Sequence, residues 1–142
     1  MEKYLGLDLG TKTLGISISD SLGIVHPKEN YCFPVCYYKL AREHVISLCK
    51  EENITNIVLG FPLQIDRNEG KRCESVRRFA TDLKNDYNLL NIYFQDESYS
   101  TIEARERLQN QEMKEEKIKT IIDMMSAVVI LEDFINNLKR SN

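Results

Sequence analysis

Four carboxylates in this chain stand where charge is costly. Asp8 closes an alternating apolar run, the pair Asp96 and Glu97 closes another, and Asp123 interrupts an apolar helical stripe between Ile122 and Met124. An ionised carboxylate in a partly buried place is unfavourable unless it is paired or bound to metal. Taken singly, each acid has a local explanation: Asp8 capping the turn from Gly10 to Lys12, Glu97 capping the helix that follows, and Asp123 pairing with Lys119 one turn earlier. Taken together they favour another. One turn beyond Asp123 lie Ser126 and Ala127, small enough to let that helix face approach the strand ends and bring the acids together. Oxygen ligands converging without His or Cys select Mg²⁺ or Mn²⁺ over zinc. Two such ions about 4 Å apart clamp the attacking and leaving oxygens of a phosphodiester and generate hydroxide from water. The chemistry this pattern predicts is metal-assisted phosphodiester hydrolysis.

An anionic substrate needs neutralising charge, and the 142-residue chain is acidic overall, at −3. That balance argues against a basic footprint spread over the whole protein. A local one exists. Between Asp66 and Arg78, the residues Arg67, Lys71, Arg72, Arg77 and Arg78 outweigh Asp66, Glu69 and Glu74, leaving the remainder of the chain at −5. Such a loop and helix start would contact phosphates and make binding salt-dependent. A solvated helix face with internal pairs such as Glu74 to Arg78 explains the same charges equally well. The segment from Glu103 to Lys119 carries five charges of each sign and reads as a solvated face.

The elements that must position these groups follow from periodicity. From Lys3 to Leu9, Leu5, Leu7 and Leu9 alternate with Tyr4, Gly6 and Asp8, the period of a strand, so Asp8 points away from the leucines. After the Gly10 to Lys12 turn a second strand alternates Leu14, Ile16 and Ile18 with Gly15, Ser17 and Ser19. A third, irregular strand spans Ile24 to Val35, interrupted by Pro27, which completes an antiparallel meander. The rhythm then changes. Leu40, His44, Val45, Leu48 and Cys49 predict a helix before the buried parallel strand Asn56 to Gly60. Val76, Phe79, Ala80, Leu83 and Tyr87 predict a second helix, before another buried strand at Asn91 to Gln95. Ser100 to Glu103 matches a capping box, and a long last helix from about Glu115 to Leu138 carries Ile118, Ile121, Ile122, Met125, Val128, Val129 and Ile135 on its buried side. The fold class is α/β, residues 1–142 read as one domain, and the length suffices for a sizeable core.

Composition excludes several classes. With 42% apolar residues, six Gly and three Pro, the chain is neither disordered nor collagen-like. No run approaches the ~20 apolar residues a bilayer requires, and no signal-peptide pattern follows Met1, which predicts a cytoplasmic protein without a membrane partner. Cys32, Cys36, Cys49 and Cys73 form no C-x-x-C pair and read as buried, inert thiols rather than a zinc site.

Four blocks, in order and at suitable separations, resemble the YqgF family, also called RuvX, RNase H-like proteins described as Holliday junction resolvases and as pre-16S rRNA nucleases. Leu7 to Gly15 resembles the opening D-x-G-x-K-R-x-G, and Leu59 to Leu63 through Asp66 and Gly70 resembles the L-G-x-P block. Asp96 to Thr101 resembles D-E-R-x-S-T, and Ile122 Asp123 with Ser126 Ala127, Ile130 Leu131 and Phe134 resembles the closing helix. The resemblance implies an RNase H-like fold, a mixed five-stranded sheet flanked by helices, with the antiparallel meander continued by parallel strands. It implies Asp8, Glu97 and Asp123 as catalytic, metal-binding acids for Mg²⁺ or Mn²⁺, Asp96 as a supporting carboxylate, and Lys12 with the Gly10 amide facing the substrate. Thr13 and Ser98 stand where the family carries Arg, so two positive charges near the acids are missing. Weaker substrate binding, altered specificity or reduced activity follows from that loss.

The reading with most support is a hydrolase, an endonuclease of structured nucleic acid that processes the 5′ end of pre-16S rRNA in ribosome biogenesis. Nucleic-acid contacts fall to Lys12, Arg67, Lys71, Arg72 and Arg78. The alternatives are resolution of branched DNA junctions in recombination, and a non-catalytic RNA-binding assembly factor on a ribosomal precursor. Leu7 to Thr11 also resembles the phosphate loop of actin-like and sugar-kinase ATPases, but 142 residues leave little room for their second subdomain. The protein is a monomer or a homodimer in this reading, and two-fold-symmetric junction cutting requires paired sites.

Overall fold

The computed structural model describes residues 1–62, 70–97, 104, 106, 107 and 115–141; for 70–72, 115, 116 and 118–120 the main chain alone is considered. Strands β1 (Tyr4–Leu9), β2 (Thr13–Ser19) and β3 (Val25–Cys32) precede helix α1 (Tyr38–Glu52). Strand β4 (Asn56–Phe61), helix α2 (Gly70–Asp86), strand β5 (Asn91–Asp96) and helix α3 (Glu115–Arg140) complete the described elements. The sheet has the order β3-β2-β1-β4-β5. β1, β2 and β3 pair antiparallel, and β4 and β5 extend the sheet in parallel on the other side of β1. This is the mixed five-stranded architecture expected from the sequence.

The alternation in β1 explains its central place. Leu5, Leu7 and Leu9 join Leu14, Ile16, Ile57, Leu59 and Phe79 in the core beneath α1 and α2. Tyr4 on the opposite face joins Val58, Ile130, Leu131 and Ile135 beneath α3. With both faces covered, all six residues of β1 and all six of β4 are buried. α1 closes in a left-handed turn at Asn53, with φ of 56°, whose N–H returns to the Cys49 carbonyl. His44 stacks on Tyr31 at 4.0 Å between ring centroids and hydrogen-bonds Glu29, fastening this helix to β3.

α3 lies close to the sheet because β2 presents small and polar residues to it. A Cβ placed on Gly15 would fall 2.0 Å from the Asp123 carbonyl oxygen and 2.3 Å from its carbon. Helix main chain rests directly on strand main chain there. One turn further along, the Ser17 hydroxyl donates to the Ala127 carbonyl at 2.7 Å.

Several expectations need correction. Among the described residues β5 is the sheet's edge and not a buried strand, and Tyr93 and Phe94 are 40% and 46% exposed. β3 runs unbroken through Pro27, because an edge strand tolerates a missing N–H and a register shift opposite Ile16 and Ser17 absorbs the irregularity. Cys32 and Cys36 are exposed, one at the end of the outer strand β3 and one in a left-handed turn at φ 58°. Cys49 is buried, and desolvation pushes its thiol pKa up to about 11. The capping box at Ser100 to Glu103 lies outside the described residues. Ile121, Ile122 and Met125 are only half-buried, whereas Val128, Val129 and Ile135 are buried as expected. Among the described residues no helix is long and apolar enough to cross a membrane.

The seat of α3 predicts that Gly15→Ala is destabilising out of proportion to its size. Main-chain atoms cannot rotate away as a side chain would, so we expect a loss of about 3 kcal/mol or more, measured by chemical denaturation. Unchanged stability would mean that helix and strand are not in direct contact.

Candidate functional site

β1 carries Asp8 one residue beyond Leu7, on the face that meets α3, and only 6% of it is exposed. Its antiparallel partner on β2 is Gly15. On the other side the parallel register pairs Leu7 with Leu59, so Asp8 is followed across the ladder by Gly60. The carboxylate is therefore flanked by two residues without side chains. Each gap is used by another acid. Over Gly15 lies the Asp123 main chain, and over Gly60 lies the Glu97 carboxylate, whose Oε2 would stand 2.6 Å from a Cβ there. Ile130 Cδ1 meets the same point at 2.6 Å, which confirms that Glu97 folds back beneath α3.

Glu97 follows β5, with its N–H donated to the Phe61 carbonyl at 3.1 Å, and it is 6% exposed. Neighbouring strands lie about 4.8 Å apart, so the Glu97 carboxylate sits about one strand spacing from the Asp8 main chain. Asp123 is half-buried, and its Oδ2 accepts a hydrogen bond from the Thr13 hydroxyl at 2.7 Å. Ser126 lies on the same helix face, wholly buried, and its hydroxyl finds no partner among the described residues.

The structure thus brings Asp8, Glu97 and Asp123 to one end and one face of the sheet. Asp96 is separated from them. It precedes Glu97 by one residue, so strand alternation turns it to the α1 and α2 face, opposite Phe61 in the ladder. Lys12 is exposed in the β1–β2 turn beside the acids. The Gly10 amide, expected to face the substrate, instead donates to the Thr13 carbonyl at 2.8 Å and closes that turn.

The basic residues are placed less compactly. Arg67 lies outside the described residues, as does Ser98, and Lys71 and Arg72 are located only by their main chain in the first turn of α2. That turn follows β4, at the end of the sheet where the acids stand. Arg78 is exposed further along α2, on the layer opposite α3, and Arg77 stacks over the Phe61 ring at 4.9 Å.

Sequence reasoning missed Thr13 as a partner of Asp123 and counted it only as a lost arginine. The signal was present, since Thr13 precedes Gly15 by two residues and so shares the face that α3 covers. Gly60, part of the apolar run and of the L-G-x-P block, carried no sign in the sequence that its bare position accommodates Glu97.

The donor set fits a hard divalent cation in its chemistry, because two buried carboxylates, a third acid and an orphan hydroxyl are all oxygen ligands. Among the described residues no three His, Cys, Asp or Glu side chains converge closely enough to hold one ion. Thr13 holds the Asp123 carboxylate at β2, while the Glu97 carboxylate lies over Gly60 on β4.

Comparison with known proteins adds an independent line. The RuvX family profile, described as "Holliday junction resolvase", matches residues 2–137. The chain belongs to the RuvX family. A relative from Halalkalibacterium halodurans, named "Putative pre-16S rRNA nuclease", is 36% identical over 135 residues, covering 94% of this chain and 96% of its own. A relative from Lactococcus lactis with the same name is 35% identical over 135 residues and covers 94% of each chain. Among solved structures, Thermus thermophilus RuvC in complex with a Holliday junction superposes with a TM-score of 0.62 over 96% of both chains, at 9% identity. That likeness carries the fold alone, and it is the RNase H-like fold that the RuvX resemblance implied.

The Thr13 bond generates a test of the site's construction. Thr13→Val removes a hydrogen bond to a charged acceptor and should cost about 1–2 kcal/mol in denaturation midpoint experiments, while Thr13→Ser should recover most of it. Equal stability of the three proteins would show that Asp123 is not held from β2.

Proposed function

We propose that this RuvX protein is a metal-dependent endonuclease of structured nucleic acid that acts on the precursor of 16S rRNA. The observation that carries the reading is the placement of Asp8 between two bare strand positions, with Asp123 over one and Glu97 over the other. Asp8 and Glu97 are buried, and a bound cation would offset the cost of holding carboxylates there.

Asp8 and Glu97 would hold Mg²⁺ or Mn²⁺, with Asp123 as the third acid. The chemistry such a cation supplies when bound is the activation of water and the neutralisation of charge on a scissile phosphodiester. Thr13 orients Asp123 by holding one of its oxygens. α3 roofs the acids and keeps bulk water from their inner side. Lys12, exposed beside them, offers its ammonium to a phosphate oxygen. Asp96 takes no direct part in this reading, since it faces the other layer. Arg67, Lys71, Arg72 and Arg78 would bind flanking phosphates, with the main chain of Lys71 and Arg72 in the first turn of α2. The reaction belongs to the cytoplasm, where the precursor is made.

Two rival readings separate from this one by experiment. The family's description favours branched DNA as substrate, and the displaced arginine positions Thr13 and Ser98 leave room for a binding protein without catalysis.

Purified protein with Mn²⁺ or Mg²⁺ should cleave an RNA carrying the 5′ extension of the precursor faster than a four-way DNA junction. Asp8→Asn and Glu97→Gln should each reduce cleavage by about 100-fold or more, equivalent to ~2.7 kcal/mol of transition-state stabilisation. Cleavage by both variants at the wild-type rate rejects the mechanism, and growth complementation by them supports the assembly factor instead. Preference for the junction transfers the substrate to DNA.

The basic segment has its own readout. Arg78→Glu should weaken RNA binding at every sequence and lower the slope of log affinity against log salt by about 1, the loss expected for one phosphate contact. An unchanged slope would assign Arg78 to the solvated surface.

A further inference from the structure

The two edges of the sheet are built differently. β3 carries His26, Pro27, Lys28 and Glu29 and a register shift against β2, the devices that prevent an edge from pairing with another chain. β5 has neither proline nor a register shift, and its one charged residue, Asp96, stands at its end. From Asn91 to Gln95 it reads Asn-Ile-Tyr-Phe-Gln, without charge or proline, and it leaves Tyr93 and Phe94 40% and 46% exposed. Beside it runs a groove of about 670 Å³ between strand and α2, lined by Arg77, Lys84, Ile92 and Phe94 among others.

The direction of the free backbone groups is fixed by the bonds already made. Asn91 donates to the Thr55 carbonyl at 2.8 Å and Glu97 to that of Phe61 at 3.1 Å. Odd-numbered residues of β5 therefore face β4, and the N–H and C=O of Ile92 and Phe94 point outward. A strand that joins this edge must meet them with outward groups of its own.

We propose that a second copy of this chain occupies the edge, its β5 antiparallel to the first about a two-fold axis through Tyr93. In that register Ile92 exchanges both main-chain hydrogen bonds with the partner's Phe94, and Phe94 with the partner's Ile92. Tyr93 faces the partner's Tyr93 as a pair without hydrogen bonds, the close kind in an antiparallel ladder. Side chains agree with the backbone. Ile92 meets an aromatic ring on the groove side, Asn91 meets the partner's Gln95, and no like charges stand opposite one another. The register also brings the partner's Asp96 to Leu90, whose carbonyl holds the Lys84 ammonium at 2.6 Å. About the two-fold axis each of these contacts is made twice, and the partner's Asp96 is brought toward the Lys84 ammonium at both ends.

The axis stands perpendicular to the sheet, so the two sheets become one and both α3 layers lie on the same side. The two Glu97 positions would be separated along the strands by about 27 Å, eight residues at strand rise. The pairing stands whether or not the acids cleave nucleic acid. If they do, a two-fold-symmetric substrate finds two sites on one surface.

Sedimentation equilibrium of the full chain tests it, from low to high micromolar protein. We expect a reversible monomer–dimer equilibrium, and Phe94→Lys should raise its dissociation constant at least about tenfold by placing an ammonium against the partner's Ile92. Register is read by cross-linking in a Cys32→Ser, Cys36→Ser background. Tyr93→Cys should form an intermolecular disulfide on mild oxidation, because a non-hydrogen-bonded pair lies within disulfide reach, whereas Asn91→Cys should not. If Phe94→Lys fails to fold by circular dichroism, the cross-linking pair decides. Monomer at every concentration overturns the proposal. So does a dimer that Asn91→Cys links as readily as Tyr93→Cys.

Discussion

The structure depends on the direct contact of α3 with the sheet. Most helices ride on a layer of side chains about 10 Å from the strands beneath them, but here the main chain at Asp123 touches β2 at Gly15. Only a residue without a Cβ permits this, and the neighbouring hydroxyls of Thr13 and Ser17 bond the helix in place at 2.7 Å each. The apolar cluster of Tyr4, Val58, Ile130, Leu131 and Ile135 then seals the far end of the same helix. Polar bonds fix the height of the helix near the acids, and burial fixes it further along.

That arrangement explains how acids can be accommodated in a sheet whose other central positions are apolar. Asp8 and Glu97 are each 6% exposed, and a buried carboxylate is costly unless it is hydrogen-bonded or paired. The glycines on either side of Asp8 give carboxylate and helix backbone the space that side chains would take. The cost is met locally, and the core beneath α1 and α2 is untouched by it. Thr13 has a similar economy of role, since one hydroxyl both secures α3 and orients an acid.

Much of this was legible in the sequence. The period of two in Leu5, Leu7 and Leu9 set Asp8 on the opposite face, and the unbroken Ile57 Val58 Leu59 run identified a central parallel strand. The small residues Ser126 and Ala127 announced a close helix. Other features were not legible for physical reasons. Whether an apolar strand is central or at the edge depends on which strand pairs next, and nothing local in Asn91 to Gln95 encodes that. Cys32 and Cys36 look apolar by type, but exposure follows from β3 lying outermost and from the turn after it. Asp96 and Glu97 read as a pair by adjacency, although a strand separates neighbours onto opposite faces. The link between Thr13 and Asp123 joins residues 110 apart, beyond any local pattern.

That separation bears on how the protein comes into being. The N-terminal meander can form as soon as it leaves the ribosome, since β1, β2 and β3 are contiguous and joined by short turns. Asp8 is then already in place, but Thr13 and Ser17 lack their acceptors until α3 has been synthesised, each across 110 residues of chain. Contacts of this span form late and slowly. A nascent or truncated chain therefore presents at most a half-built acid cluster on an uncovered sheet, and the complete cluster arises only when the final helix docks.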